Sequence, residues 1–548
     1  MTQVDSKPIC FRGTPVSPGF ARGCLVILDE AVPTPTRTRG TADEERTSLQ
    51  DAIAQARDAL AQLMAATDDS EAEAILSFQS EMLDDEVVTA PAFDAIMTGV
   101  AAEAAWNAAL EEQIREYREA EDSYFRARAS DLCDMRDRVM RQLCGATSAT
   151  IPAGAIVVAN DLPPSRFLEI AWDGGGAVLF EGSPNSHVAM LARARGVPMI
   201  VGLERGALQG HQEAIMDSVN GMLIASPDAA ATAAYEEQQK LAAQAQAEEA
   251  GYLETPAATA DGTRVQVLIN VADGTELDRV DPAHCDGIGL VRTELLLRTM
   301  ADLLDEEKQF LAYRRIMLWA QGKSVTIRTL DAGGDKPIPG YTVDGEGNPF
   351  LGIRGVRLSL QHPQVLVTQL RALARAATFG PLKIMVPMIT APRELDQVRA
   401  LLETAVKDLR QTDVPCAMPQ LGMMVEVPAA ALAVDTFAAD FYSIGSNDLI
   451  QYVTACSRDS SPLAPLQDPL QPAVLRLIRE VVQHADRQQT AVSLCGDMAS
   501  DTRCIAALLD AGMRCLSVAP AALGRVKGVV AHYRVGRMAA GDVQGGHS

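Results

Sequence analysis

Gly287-Ile-Gly-Leu-Val-Arg-Thr-Glu294 is a short apolar run that ends abruptly in charge, and the pattern recurs through the second half of the chain. Apolar stretches of strand length stand at 265–271, 287–291, 325–330, 382–389, 422–427, 441–444, 491–495 and 515–518, separated by helical stretches. Strands apolar on both faces that alternate with helices predict a parallel sheet covered on both sides. Eight such units within residues 258–540 fit a (β/α)8 barrel, for which about 250 residues is typical. An open doubly wound sheet is the alternative. The barrel expectation carries a functional one, because a barrel keeps its chemistry at the C-terminal ends of its strands.

Working outward, residues 228–253 are rich in Ala, Gln and Glu, a composition that favours a helical, semi-rigid linker. Before it, short strands at 150–159, 176–180, 198–202 and 213–217 alternate with helical segments and predict a compact α/β domain. Residues 10–29 read as two short strands broken by a Pro/Gly turn, and they join that domain. Between the two pieces lies an all-α block. Leu49, Ile53, Ala56, Leu60 and Leu63 fall at three- and four-residue spacing on one helical face, and further helices are expected at about 71–84, 89–99, 101–120 and 123–143.

Within the α/β domain, Glu181-Gly-Ser-Pro-Asn-Ser-His187 leads a Gly/Ser/Pro turn into a helical pattern. Unpaired N–H groups at such a helix start favour a bound anion, so His187 is a candidate phosphoryl carrier. A capping turn whose histidine merely packs is the competing reading.

The 548 residues are too many for one ordinary core, and 47% hydrophobic with 22% charged residues is the composition of a globular protein. Lys plus Arg number 48 against 72 acidic residues, a net charge of −24. Such a surface repels nucleic acid and anionic membranes, so neither is an expected partner, and any docking protein should present a basic face. The start lacks a signal pattern and no apolar run reaches the length of a membrane helix, so the expected location is cytoplasmic. Ten cysteines without Cys-x-x-Cys pairs fit reduced thiols, nine of them expected to pack.

The expected strand ends are charged. Arg292-Thr-Glu294, Arg328-Thr-Leu-Asp331-Ala-Gly-Gly-Asp335-Lys336 and the segment Asn348 to Arg357 bring arginines to one rim. Guanidinium forks match phosphate and carboxylate oxygens, although the same arginines could instead pair with Glu294, Asp331 and Asp335. Glu426 and Asp448, at adjacent strand ends, form a plausible magnesium site, or simply balance the arginines. Cys495 ends the seventh strand. It is either a buried small hydrophobe or, beside arginines and a metal, a proton donor to a substrate carbon.

Taken together, Gly287–Glu294, Arg328–Lys336, Asn348–Arg354, Ile444-Gly-Ser-Asn-Asp-Leu449 and Leu494-Cys-Gly-Asp497 resemble Enzyme I of the bacterial phosphotransferase system. The resemblance runs from Val16-Ser-Pro-Gly to Arg514-Cys-Leu-Ser-Val. It implies that phosphoenolpyruvate phosphorylates His187, leaving pyruvate, and that the group passes to a histidine of the carrier HPr as the first step of sugar uptake. It also implies that Cys495 protonates the enolate carbon, that Arg292 and Arg328 hold the phosphate with Arg354 nearby, and that Asn447, Asp448 and Arg458 complete substrate binding. Glu426 and Asp448 would ligate Mg2+. The implied domains are a swivelling phosphohistidine domain at 1–30 and 145–227, an inserted helical HPr-binding subdomain at 31–144, a linker at 228–256, the barrel at 257–540 and a tail at 541–548. The acidic, amphipathic segment Glu71–Glu86 suits the HPr dock, and the family is a homodimer through its barrel.

The chain departs from the family at Asn185 and Val188, which stand where threonines flank the histidine. Val188 cannot donate a hydroxyl, which bears on phosphohistidine lifetime and transfer. Asp497 replaces a common glutamate, and Ser77-Phe-Gln-Ser stands where relatives place a histidine. Rival readings are a pyruvate-phosphate dikinase or phosphoenolpyruvate synthase, for which the helical block is too short and lacks a Gly-rich phosphate loop, and a non-catalytic carrier-binding regulator.

Overall fold

The computed structural model describes residues 8–28, 39–67, 70–119, 123–145, 151–182, 186–203, 208, 211–272, 274, 276–334, 336–343, 345–457 and 461–534. The chain divides into two compact units, residues 1–242 and 243–548. No helix among the described residues is long and apolar enough to cross a membrane.

The first unit holds an eight-stranded sheet among the described residues: β1 (Ile9–Arg12), β2 (Thr14–Ser17), β3 (Phe20–Ile27), β4 (Ile156–Ala159), β5 (Gly176–Leu179), β6 (Met199–Val201), β7 (Glu213–Asp217) and β8 (Met222–Ala225). Their order is β1-β8-β7-β3-β4-β5-β6-β2. Residues 10–29 thus contain three strands, not the two expected, because the chain breaks at Gly13 as well as at Pro18-Gly19. Strand β3 joins the halves of the sheet, pairing antiparallel with β7 over Phe20–Cys24 and parallel with β4 over Leu25–Ile27. Strands β4 to β6 are buried throughout. Period-2 alternation sends Val157, Ala177 and Leu179 to a core with α6 (Pro164–Glu169) and α7 (His187–Arg195), and Ile156, Val158 and Val178 to the opposite core.

Five helices fill the interval between β3 and β4 among the described residues: α1 (Ala42–Ala65), α2 (Ser70–Asp84), α3 (Glu86–Met97), α4 (Ala102–Glu119) and α5 (Ser123–Leu143). They enclose a separate core that includes Leu49, Leu60, Leu76, Trp106, Leu132 and Met135. Thr41 and Glu44 form a capping box at the start of α1. Of the face expected on α1, Leu49, Ile53, Ala56 and Leu60 are buried and Leu63 is partly so.

Helix α8 (Ala229–Leu253) covers the expected linker and has Tyr235 as its one buried residue. That tyrosine packs edge-on against Phe20 with ring centroids 6.4 Å apart. A 25-residue helix with so little burial relies on its Ala, Gln and Glu content for helicity.

The second unit is the expected barrel. Its strands are β9 (Gln266–Val271), β10 (Gly287–Arg292), β11 (Ser324–Arg328), β12 (Leu382–Val386), β13 (Gln420–Val425), β14 (Phe441–Gly445), β15 (Ala491–Cys495) and β16 (Cys515–Val518). All adjacent pairs are parallel, and β16 returns to β9 with Cys515 opposite Gln266 and Val518 opposite Ile269. That closure excludes the open doubly wound sheet. Inside the barrel, Leu290, Met385, Met424, Phe441 and Cys495 pack as a plug beneath the C-terminal rim. All ten cysteines are free thiols, and Cys10 departs from the packing expectation by lying exposed on the edge strand β1.

Candidate active site

Two arginines stand side by side at the rim. The last residues of β10 and β11 are Arg292 and Arg328, and they are register partners despite a bulge between Ile288 and Val291. Arg328 is buried and reaches Glu294 Oε1 at 2.5 Å and Asp331 Oδ2 at 3.1 Å. Lys336 Nζ lies 3.0 Å from the same Glu294 oxygen. Arg354 donates to both Asp331 oxygens, at 3.0 and 2.8 Å, and approaches Asp448 Oδ2 at 3.4 Å. Burial raises the Asp331 carboxyl, but Arg328, Arg354 and Lys336 outweigh it and hold the group well below the usual carboxylate range. Arg292 makes no ion pair among the described residues, so its fork is open to a ligand.

The pairing alternative therefore holds for Arg354 and Arg328, but with different consequences. Arg328 also faces the cavity at the rim. Arg354 is 1% exposed and sits behind the cavity as a brace between Asp331 and Asp448. Arg357 turns away, donating to Leu351 O and Gly352 O and to Thr390.

Glu426 and Asp448 follow β13 and β14, and both are buried. The Met388 N–H donates to Glu426 Oε1 at 2.6 Å. Met388 adopts φ of 59°, a strained conformation for a residue with a side chain, and it aims that N–H into the site. Gly445 lets the carboxylate lie against the strand, because a Cβ there would stand 2.9 Å from Glu426 Oε2. Burial raises the Glu426 carboxyl, Asp448 and Asp331 raise it further, and Arg328 and Arg354 only partly oppose them. Asp448 Oδ1 is buried without a hydrogen-bond partner. An orphaned carboxylate oxygen beside a second carboxylate suits a hard divalent cation, and magnesium takes one or two carboxylates with the rest of its shell from substrate and water. The residues thus fit Mg2+, although no cluster of three or more His, Cys, Asp or Glu side chains suited to a metal occurs among the described residues.

Cys495 ends β15, 1% exposed. Its Sγ donates to Ile444 O and accepts from Ser443 Oγ, both at 3.5 Å. Burial pushes the thiol up, so it stays protonated at neutral pH. Gly496 follows with φ of 99°, and a Cβ there would meet Ser446 Oγ at 2.4 Å and Asn447 Oδ1 at 2.8 Å. The tight approach brings Asp497 against Asn447, with Asp497 N donating to Asn447 Oδ1 at 2.9 Å and Asn447 Nδ2 to Asp497 Oδ2 at 3.1 Å.

A cavity of about 360 Å3 gathers Arg292, Arg328, Glu426, Asn447, Asp448 and Cys495 at the C-terminal strand ends, together with Lys336 and Asp497. It can bind a small anion bearing phosphate, hold a divalent cation, and deliver a proton from sulfur. Arg458 lies outside the described residues, as does Asp335.

His187 is the first residue of α7 in the other unit, with Ser186 as N-cap accepting from Ala189 N. The His187 side chain and Asn185 lie outside the described residues. Val188 is 3% exposed and packs in the core with Val157 and Leu191, so its side chain belongs to the domain interior. Gly196 closes the helix in the left-handed conformation.

Sequence reasoning assigned no role to Lys336, Met388 or Tyr452. Lys336 was legible in the Arg328–Lys336 stretch as another cation for the same anion. Tyr452, whose hydroxyl donates to Phe350 O at 2.6 Å and accepts from Arg354 at 3.4 Å, carried only helical spacing, and the strain at Met388 has no sequence signature.

Comparison with known proteins covers most of the chain. Residues 12–128 match the N-terminal domain of phosphoenolpyruvate-utilising enzymes, residues 151–221 their mobile domain and residues 246–535 their phosphoenolpyruvate-binding domain. A phosphoenolpyruvate-protein phosphotransferase of Cupriavidus necator is 35% identical over 97% of this chain and 95% of its own. One from Geobacillus stearothermophilus is 35% identical over 87% and 85%. One from Bacillus subtilis is 37% identical over 72% and 70%.

Proposed function

The chain belongs to the phosphoenolpyruvate-protein phosphotransferase family, and from that premise we infer that it moves the phosphoryl group of phosphoenolpyruvate onto its own His187 and releases pyruvate. It is a transferase of the phosphotransferase system. The observation that carries the assignment of roles is the cavity in which Arg292, Arg328 and Lys336 face Glu426, Asp448 and Cys495.

Arg292 and Arg328 bind the phosphate oxygens, with Arg354 holding Asp331 and Asp448 in place behind them. Asn447 and Arg458 bind the remainder of the substrate. Glu426 and Asp448 would hold Mg2+, and the bound ion would supply neutralisation of the charge on the transferring group. A His187 nitrogen forms the new bond to phosphorus as the P–O bond to the enol oxygen breaks, and the electron pair stays on that oxygen. The resulting enolate collapses to the ketone as its methylene carbon takes the Cys495 thiol proton, giving pyruvate. A thiol kept neutral by burial is in the right protonation state for that donation.

The phosphoryl group then passes to a histidine of an HPr-like carrier. Residues 31–144 are the carrier-binding subdomain within a phosphohistidine domain of residues 1–30 and 145–227, which swivels between substrate and carrier through the linker at 228–256. Residues 257–540 bind substrate and pair two chains as a homodimer, and the location is cytoplasmic. The acidic dock rests on α2 and the start of α3, where Glu73, Glu81, Asp84, Asp85 and Glu86 are exposed while Leu76 and Leu83 face the helical core and Ala72 the core of the α/β domain.

Mixing the protein with phosphoenolpyruvate and Mg2+ and measuring pyruvate in a single turnover tests this reading. About one pyruvate per chain is expected, and none after chelation of the metal. No pyruvate in the presence of Mg2+ would sink it.

A further inference from the structure

Behind the two rim arginines, outside the barrel wall, lies a buried polar network that the reaction does not use directly. Its hub is Gln369, fully buried on the helix Pro363–Ala376. The amide oxygen accepts from Leu330 N at 3.1 Å. The amide nitrogen donates to Thr293 Oγ1 at 3.2 Å and to Tyr313 OH at 3.1 Å. Thr293 Oγ1 in turn donates to the Arg328 carbonyl oxygen at 2.9 Å. Tyr313 OH donates to Gln309 Oε1 at 3.3 Å, and Gln309 Nε2 donates to the carbonyls of Asp302 and Leu303. Every proton in this chain has a definite direction, since only one orientation of the Gln369 amide lets Leu330 N–H find an oxygen.

The geometry ties together the backbone next to each arginine. Thr293 immediately follows Arg292, and Leu330 lies two residues past Arg328. The ladder between β10 and β11 carries a bulge between Ile288 and Val291 and pairs for only two residues beyond it, Val291 with Ile327 and Arg292 with Arg328, so the side-chain tie reinforces a short terminal ladder. We propose that Gln369 is a positioning residue for phosphate recognition: its amide, through Thr293, clamps the ends of β10 and β11 and so sets the separation of the Arg292 and Arg328 guanidinium groups. This rests on the assignment of those arginines to the phosphate. A clamp of this kind affects a ligand that bridges both arginines and spares one that does not.

The test measures dissociation constants of phosphoenolpyruvate and of pyruvate, each with Mg2+, by calorimetry on full-length protein carrying His187→Ala to block transfer. Gln369→Met keeps length and apolar burial but removes both amide functions. Thr293→Val keeps shape but removes the hydroxyl, and Thr293→Ser keeps the hydroxyl. Gln369→Met and Thr293→Val are expected to weaken phosphoenolpyruvate about tenfold or more, because a small displacement of paired donors is costly, while pyruvate changes by less than about twofold. Thr293→Ser should bind both ligands as the parent does. If Gln369→Met fails to fold, the Val and Ser variants at Thr293 decide. Equal weakening of both ligands, unchanged phosphoenolpyruvate binding, or a Thr293→Ser defect as large as that of Thr293→Val would overturn the clamp. Arg328→Lys separates the two levels: unaltered phosphoenolpyruvate binding there removes the phosphate assignment itself, whereas weakened binding there with an unaffected Gln369→Met removes only the clamp.

Discussion

Cys495 is the position where a packing reading and a catalytic reading meet. It is buried as most free cysteines are, yet it lines the cavity with Arg292, Arg328 and Asp448. Burial raises the thiol by disfavouring the thiolate, and the Ser443 hydrogen bond does not reverse the shift. The sign gives a measurable pH dependence. Alkylation by iodoacetamide requires thiolate, so Cys495 should react far more slowly than the exposed Cys10 at pH 7.5 and should accelerate only above the ordinary thiol range of about 8.5. Mass spectrometry of labelled peptides checks it, and a Cys495 as fast as Cys10 at pH 7.5 would contradict a neutral acid. The residue type and its place at a strand end were legible in the sequence. Its hydrogen bonds to Ser443 and Ile444 were not, because they depend on the register between β14 and β15, which brings Gly445 opposite Cys495.

At the scale of elements, the barrel strands were legible because strands buried on both faces read as largely apolar runs, and β10, β11 and β13 end where charge begins. The third strand near the N-terminus was not, since a single Gly13 between β1 and β2 leaves too little punctuation to separate them. The role of the segment after β11 was only half legible. Its Arg354 reads as a rim ligand in sequence, whereas the loop folds back and buries it against Asp331 and Asp448. Arg354→Met would leave the fully buried Asp331 with only Arg328 and Lys336 and would strip Asp448 of its cation. Removing one partner of a buried ion pair typically costs about 3–5 kcal/mol, so the barrel should lose stability on that scale in chemical denaturation. A loss below about 1 kcal/mol would mean that Arg354 is not the brace between these carboxylates.

For the whole molecule, the net charge of −24 gives a surface that on average repels polyanions, and the carrier proposed above would be expected to present a basic face to it. Encounter with such a carrier should be steered electrostatically. Raising salt from low to above physiological ionic strength is expected to slow carrier phosphorylation by about tenfold or more while single-turnover pyruvate release changes little. Equal slowing of both steps would argue against charge steering at the dock. On the proposed function the two units divide the chemistry between them, with the cavity assigned to phosphoenolpyruvate in one and His187 in the other. That division makes transfer to His187 the central claim. Protein incubated with phosphorus-labelled phosphoenolpyruvate and Mg2+ should acquire an acid-labile, base-stable label that maps to the His187 peptide and disappears in His187→Ala; label that persists in that variant, or that maps elsewhere, would contradict the account.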